Sequence, residues 1–268
     1  MPFSDGFTLI SGPCVLEGQE LNLAVARGVR DAAREAGIPA VFKASFDKAN
    51  RSRVHSHRGP GLDRGLELLA AVREETGLPV LTDIHEADQA EAVADVADVL
   101  QIPAFLCRQT SLLVAAGGTG RAVNVKKGQW MPPGSMAGAV EKVRAGGSTE
   151  VAVTERGASY GYGDLVVDVR NFGVIREAAG VPVIFDGTHS VQRPGSARDG
   201  STGGAPQHIR PLVRAAVAAG CDGLFLEVHP DPASAPSDGS NMLPLRELGP
   251  LLHEVAAIRR ALFPGSAP

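Results

Sequence analysis

Residues 9–18 read LISGPCVLEG, an apolar, β-prone run that stops at Gly12-Pro13 and leaves a cysteine, Cys14, just past the stop. The fold turns on the residues just after this run. The first strand of a doubly wound sheet is usually followed by a glycine-rich phosphate turn of the form G-x-G-x-x-G, and no such turn is present here. The stretch also raises the question of Cys14 itself. A free cysteine is ordinarily a small buried side chain, but the same residue serves as a nucleophile or a metal ligand where its surroundings ionise it.

Counting outward from this strand, FTLISGPC (7–14), seven more short β-rich runs recur: AVFKASF (40–46), PVLTDIH (79–85), DVLQIPA (98–104), RAVNVKKG (121–128), EVAVTERG (150–157), VPVIFDGTHS (181–190) and GLFLEVHP (223–230). Helical periodicity fills the gaps. Leu62, Leu66, Leu69 and Val72 precede the stop Gly77-Leu78-Pro79, Ile209, Leu212, Ala216 and Val217 precede Gly220, and a last helix carries Leu245, Leu248, Leu252, Val255 and Leu262 on one face. Strands alternating with helices predict right-handed βαβ units and a parallel sheet. Eight such units in 268 residues match a (β/α)8 TIM barrel, expected as a single domain over residues 1–268. Two long loops rich in Gly, Pro and Ser, QRPGSARDGSTGGAP (192–206) and DPASAPSDGSN (231–241), read as lids or ligand-binding loops.

Hydrophobic residues make up 44% of the chain, enough for a substantial core in a soluble globular protein. With 26 Lys and Arg against 30 Asp and Glu, the net charge of −4 gives no global basic field to attract nucleic acid or an anionic membrane. No run approaches the roughly 18 apolar residues of a spanning helix, and MPFSDGF lacks a basic region followed by an apolar core, so a cytoplasmic protein with no membrane partner is expected. Cys14, Cys107 and Cys221 are an odd number lying far apart, which suits reduced thiols.

In such barrels the chemistry sits at the C-terminal ends of the strands, and those ends are polar here. Strand one ends in Cys14, and strand two carries Lys43 and leads to Lys48, Asn50, Arg51 and Ser52. Strand three ends in Asp83 and His85, strand four holds Gln101 with Arg108 beyond, and strand five holds Asn124, Lys126 and Lys127. Strand six ends in Glu155 and Arg156, strand seven in Asp186 and His189, and strand eight in Glu227 and His229. A single Lys or Arg on a loop is ordinarily a solvated charge. Lys43 and Lys126 differ because each interrupts an apolar strand, where an unpaired charge is expensive. Together, Lys43, Lys48, Arg51, Arg108, Lys126 and Arg156 would hold two phosphates, or a phosphate and a carboxylate, and so imply small phosphorylated substrates.

In a closed barrel strand eight pairs with strand one, so Cys14, His189 and Glu227 become neighbours, and Asp238 in the following loop folds back over the same corner. Cys, His, Glu and Asp suit a divalent ion such as zinc, iron or manganese. The spacing has low specificity, with no C-x-x-C or H-E-x-x-H motif present. A nucleophilic Cys14 with His189 as its base fits the same geometry, although two carboxylates nearby would raise the thiol pKa. Cys107 and Cys221 read as packing residues, and His55, His57, His208 and His253 as surface positions.

The strings KASFDKANRS, TDIHE, QIPAFLCRQT, AVNVKKGQ, TERG, DGTHSVQ and GCDGLFLEVHP with its downstream SDGSNMLPL resemble the 3-deoxy-D-manno-octulosonate 8-phosphate synthase family. The match runs in order over nearly the whole chain. The resemblance implies condensation of phosphoenolpyruvate with arabinose 5-phosphate and water on a (β/α)8 barrel, usually a cytoplasmic homotetramer, whose product feeds lipopolysaccharide assembly. One class of the family needs a divalent metal, and the metal-independent class has an Asn where this chain has Cys14.

By resemblance, then, Cys14, His189, Glu227 and Asp238 are the metal ligands, and Lys48, Cys14, His189 and Asp238 stand closest to the chemistry. Lys43, Lys48, Lys126 and Arg156 look like the phosphoenolpyruvate pocket with Gln101 and Arg108 close by, while Asn50, Arg51, Ser52, Asp83 and His85 resemble the aldose phosphate site. Arg53 departs from the pattern, since many members have a second Ser there. The related heptulosonate synthase, which takes erythrose 4-phosphate, carries a KPRTS-like string where this chain has KANRS. A metal-dependent aldolase and a non-catalytic sugar-phosphate binding barrel are two further activities that a rim of this kind could serve.

Overall fold

The computed structural model describes Phe3 and residues 6–51, 53–160, 163–196 and 202–264. Eight parallel strands form its centre: β1 (Thr8–Gly12), β2 (Ala40–Lys43), β3 (Val80–Asp83), β4 (Val99–Ile102), β5 (Ala122–Lys126), β6 (Val151–Glu155), β7 (Val183–Asp186) and β8 (Gly223–His229). Each pairs with the next, and β8 pairs back onto β1 from Thr8↔Gly223 to Gly12↔Glu227, so the sheet closes into a barrel. The strand-by-strand reading of the sequence is borne out, with shorter regular segments than the apolar runs suggested. β1 ends at Gly12 because Pro13 has no N–H for the ladder, which puts Cys14 on the turn beyond the strand.

The helices α1 (Gln19–Ala36), α2 (Leu62–Thr76), α3 (Gln89–Val96), α4 (Thr110–Gly118), α5 (Met136–Gly146), α6 (Asn171–Ala179), α7 (Ile209–Ala218) and α8 (Leu248–Leu262) alternate with the strands. Three of them stop at glycines in the left-handed conformation, α1 at Gly37, α6 at Gly180 and α2 at Gly77, the last of these as expected. The last helix differs from expectation at both ends. Leu245 lies in a 3₁₀ turn before it, and Leu262 is exposed, because the helix by then has run past the edge of the barrel.

Two layers of core arise from the alternation of side chains along each strand. Facing the helices are residues such as Leu9, Phe42, Val80, Leu100, Val125, Val153, Phe185 and Leu226, all buried in the larger apolar cluster. Facing inward near the base are Ile10, Val41, Leu81, Val99, Ala122, Ala152, Ile184 and Phe225, with Phe3 packed into the same cluster. One step further along the inward face, each strand except β1 changes character. Val41 is followed by Lys43, Leu81 by Asp83, Val99 by Gln101, Ala122 by Asn124 and Lys126, Ala152 by Thr154, Ile184 by Asp186, and Phe225 by Glu227. The barrel is therefore an apolar plug below and a polar cup above. β1 is the exception for a steric reason: a Cβ on Gly12 would stand 2.1 Å from the Lys43 carbonyl oxygen, so only glycine lets β1 lie this close to β2.

Beyond β8 the chain loops out through residues 231–241 and returns as Leu243–Pro244, which pairs with the end of that strand at Val228↔Leu243. The return brings Asp238 back over the mouth. Ser52 and residues 197–201 of the 192–206 loop lie outside the described residues.

Candidate active site

A cavity of about 670 Å³ opens at the C-terminal mouth of the barrel. Five of the six cations singled out in the sequence, Lys43, Lys48, Arg51, Lys126 and Arg156, line it, as do Asn50, Asp83, His85, Gln101, His189, Glu227 and Asp238. Arg108 does not. The 3₁₀ turn Ala104–Leu106 carries the chain outward after β4, leaving Arg108 exposed with its carbonyl accepting from Lys142 Nζ at 3.0 Å. Two other charged strand ends also point away. Lys127 and Glu155 have the opposite parity to Lys126 and Arg156, so they are buried behind the wall, 3.5 Å apart. His229 turns outward too, with Nε2 3.1 Å from Glu17 Oε1.

Two of the inward cations, Lys43 and Lys126, are paired directly with buried carboxylates. Lys43 Nζ donates to Glu227 Oε1 at 2.7 Å and to the Cys14 carbonyl at 2.8 Å. Lys126 Nζ pairs with Asp186 across the barrel and sits 3.4 Å over the Phe225 ring. Burial brings the Lys126 pKa down to about 8 despite Asp186. Burial would lower Lys48 as well, but the carboxylates of Glu227, Asp83 and Asp238 around it favour the charged ammonium. Arg156 donates from Nη2 to the His189 carbonyl and to Gln192 Oε1, both at 2.7 Å, which fixes the guanidinium at the rim. Asp83 and His85 form a pair of their own, with Oδ2 and Nε2 3.0 Å apart. Burial opposes charge on both, yet each holds the other ionised: the Asp83 carboxyl lies well below the usual range and the His85 imidazole above it.

At the β8–β1 seam the expected metal-type residues converge. One ligand atom each from Cys14, Glu227 and Asp238 lies within 4.8 Å of the other two. Cys14 Sγ is 3.2 Å from both Asp238 Oδ2 and Ser237 Oγ. His189 borders this group without joining its tightest set: Nε2 is 3.6 Å from Glu227 Oε2, and Nδ1 is 2.8 Å from Asp186 Oδ2. A thiol, two carboxylates and an imidazole whose other nitrogen faces a carboxylate are a donor set that fits a divalent ion. Burial, and then Glu227, push the Cys14 thiol far up, so without a cation it is no nucleophile. Among the described residues its hydrogen-bond partners are Ser237 and Asp238, not His189. Cys107 and Cys221 are buried and free, in keeping with packing roles.

Some participants were not assigned from the sequence. Ser237 bridges Cys14 and Arg51, whose Nη1 donates to its hydroxyl at 2.8 Å. Its only signal was adjacency to Asp238. Asp186 was visible as a strand end, but its double contact with Lys126 and His189 is a product of the closed barrel. His57 is exposed, as expected of a surface position, and it also borders the mouth of the cavity.

The chain matches the DAHP synthetase I family over residues 4–262. It is 58% identical over 250 residues to a protein of Nitratidesulfovibrio vulgaris named 2-dehydro-3-deoxyphosphooctonate aldolase, covering 93% of this chain and 91% of that one. Proteins of the same name from Syntrophotalea carbinolica and Koribacter versatilis are 55% and 53% identical, over 93% and 97% of this chain and 90% and 93% of theirs. The likeness spans the whole barrel together with its polar cup, and the chain belongs to the DAHP synthetase I family.

Proposed function

We propose that this chain condenses phosphoenolpyruvate with D-arabinose 5-phosphate and water to give 3-deoxy-D-manno-octulosonate 8-phosphate and inorganic phosphate, as a 3-deoxy-8-phosphooctulonate synthase. The observation that carries the reading is the gathering of five cations in one cavity beside a Cys, Glu and Asp group. Two anionic substrates repel one another in water. A cup of fixed ammonium and guanidinium groups removes that repulsion and sets the reacting carbons side by side.

Lys43, Lys48, Lys126 and Arg156, with Gln101, form the pocket for the enol phosphate. Asn50, Arg51 and Ser52 take the aldose and its phosphate, with Asp83 and His85 along the same wall. Arg108 has no part within this chain's own cavity. The π electrons of the enol attack from C3 onto the sugar aldehyde, so a C–C bond forms and the carbonyl oxygen becomes an alkoxide. Lys48, whose ammonium the surrounding carboxylates favour, is the acid that supplies its proton, and His85, raised by Asp83, lines the same cavity. Positive charge at C2 is then met by water, whose proton returns to the Lys48 amine. The resulting hemiketal phosphate collapses by C–O cleavage as its hydroxyl proton passes to the departing phosphate, leaving the keto acid.

Cys14, His189, Glu227 and Asp238 would hold a divalent ion such as zinc, iron or manganese. When bound, such an ion supplies Lewis acidity for the water or the aldehyde. Ionisation of Cys14 is part of binding it.

The setting we propose is a cytoplasmic homotetramer serving lipopolysaccharide assembly. No described helix is long and apolar enough to cross a membrane. Exposed Phe105 and Trp130, with ring centroids 6.0 Å apart near the mouth, give apolar area for a second copy to cover.

The family name keeps a second reading in view, condensation with the four-carbon erythrose 4-phosphate. Purified protein supplied with phosphoenolpyruvate and each aldose in turn, with phosphate release as the readout, separates the two. Faster turnover of arabinose 5-phosphate is expected. Faster turnover of the four-carbon sugar would overturn the substrate assignment. Aldol product without phosphate would indicate a lyase, and no turnover a binding protein.

A further inference from the structure

Below the mouth, three buried polar side chains cross the barrel wall in a line. Thr154 Oγ1 on β6 donates to Asn124 Oδ1 on β5 at 2.7 Å, and Asn124 Nδ2 donates to Gln101 Oε1 on β4 at 2.9 Å. Thr154 and Asn124 are wholly buried, and of the three only Gln101 lines the cavity.

The direction of this line is set at its deep end. A hydroxyl has one hydrogen to place, and for Thr154 the acceptor among the described residues is Asn124 Oδ1. Turning both amides round would leave that hydrogen buried without an acceptor, a costly defect in a folded interior. With its carbonyl committed to Thr154, Asn124 has only its NH2 to offer Gln101. Gln101 therefore spends its carbonyl on Asn124, and its own NH2 is what remains for the cavity. Left to itself, a glutamine amide presents either end with nearly equal ease. Here the end is chosen two residues away.

We infer that Thr154 and Asn124 are positioning residues that hold Gln101 as a donor towards the cavity, so that this wall, like the cations beside it, accepts only an anionic or carbonyl oxygen of the substrate. The inference rests on the reading of this cavity as the enol phosphate pocket. Its consequence is discrimination: were Gln101 reversed, a carbonyl oxygen would face the substrate carboxylate or phosphate and repel it.

The test is steady-state kinetics of the full-length protein with phosphoenolpyruvate and arabinose 5-phosphate, alongside thermal midpoints. Thr154→Val keeps the shape and removes the donor, and is expected to raise KM for phosphoenolpyruvate about fivefold with kcat within about twofold and the aldose KM unchanged. Thr154→Ser restores a hydroxyl and is expected to match the parent. Thr154→Ala, equally without a donor, serves if the valine variant does not fold. Gln101→Ala is expected to raise the same KM about tenfold. If Gln101→Ala changes nothing, the pocket reading fails and this inference with it. If Gln101→Ala has its effect while the Val and Ala variants of Thr154 have none, the positioning role alone is overturned. A serine variant as impaired as the valine one would also overturn it, since packing rather than the hydroxyl would then be at work.

Discussion

Oδ2 of Asp186 lies 2.8 Å from Nδ1 of His189, three residues further along the chain. That contact turns Nε2, the other ring nitrogen, towards Glu227. The same carboxylate holds Lys126. One buried acid thus orients an imidazole of the metal-type group and a cation of the anion pocket together. Asp186→Asn should lower affinity for a divalent ion about 10–100-fold and raise KM for phosphoenolpyruvate. Competition against a chromogenic chelator measures the first effect. Unchanged affinity would mean that His189 takes its orientation from elsewhere.

Lys43 and Glu227 form an ion pair with side chains 2% and 1% exposed. Taking away one partner leaves an uncompensated buried charge. Lys43→Met is expected to cost about 3–5 kcal/mol in urea unfolding, and adding Glu227→Leu to recover part of it. A single variant as stable as the parent would show that the cavity hydrates Glu227 freely. The pair also has a pH signature. Burial raises the Glu227 pKa, but Lys43 and His189 outweigh it and hold the carboxyl below its usual 4.5. Its contribution is complete above that pH and is lost as pH falls further.

Lys126 titrates in the opposite sense. Burial brings it from 10.5 to about 8, so the ammonium proposed to attract the substrate is present below pH 8 and lost above it. KM for phosphoenolpyruvate should rise as pH passes from 7 to 9.5, by up to about tenfold per unit on the steep part. The limb should lie at higher pH in kcat than in kcat/KM, because a bound anion raises the lysine pKa. Between 8 and 10.5 the unfolded chain holds a proton that the folded one has released, so this group adds stability as pH rises through that window. A KM flat across the range would contradict the role given to Lys126.

Gly12 tests the mechanics of the seam. A methyl group there meets the Lys43 carbonyl oxygen at 2.1 Å, so Gly12→Ala must push β1 from β2 and move Cys14 and Lys43 with them. We expect a loss of about 1–3 kcal/mol or more, with weakened metal binding, read by thermal unfolding and metal titration. A parent-like variant would show that the seam yields without cost.

The barrel was legible because a period-two apolar run succeeded by a helical one is a local signal repeated eight times. The cup was legible in outline for the same reason: Lys43, Gln101 and Lys126 stand inside apolar strands, where a polar group needs a purpose. Strand parity was already written in the sequence too, and it separates Lys126 from Lys127 and Arg156 from Glu155. That Arg108 lies outside this chain's cavity was not legible, because its position depends on a 3₁₀ turn that redirects the chain after Pro103. Ser237 and the double contact of Asp186 were illegible, since both arise from loops and strands meeting across the closure of the barrel. Asp238 is the one described non-glycine residue with positive φ, at 52°, a turn that aims its carboxylate at Cys14 and that spacing alone does not reveal.

The most direct test of the account is to assay phosphate release from phosphoenolpyruvate and arabinose 5-phosphate before and after exhaustive dialysis against chelator, with elemental analysis of the same samples and of Cys14→Ala. Bound metal and turnover are predicted to disappear together and to return together on adding zinc, iron or manganese. Cys14→Ala is predicted to fold but neither to bind the ion nor to turn over. Full activity in protein shown to be free of metal would contradict the account.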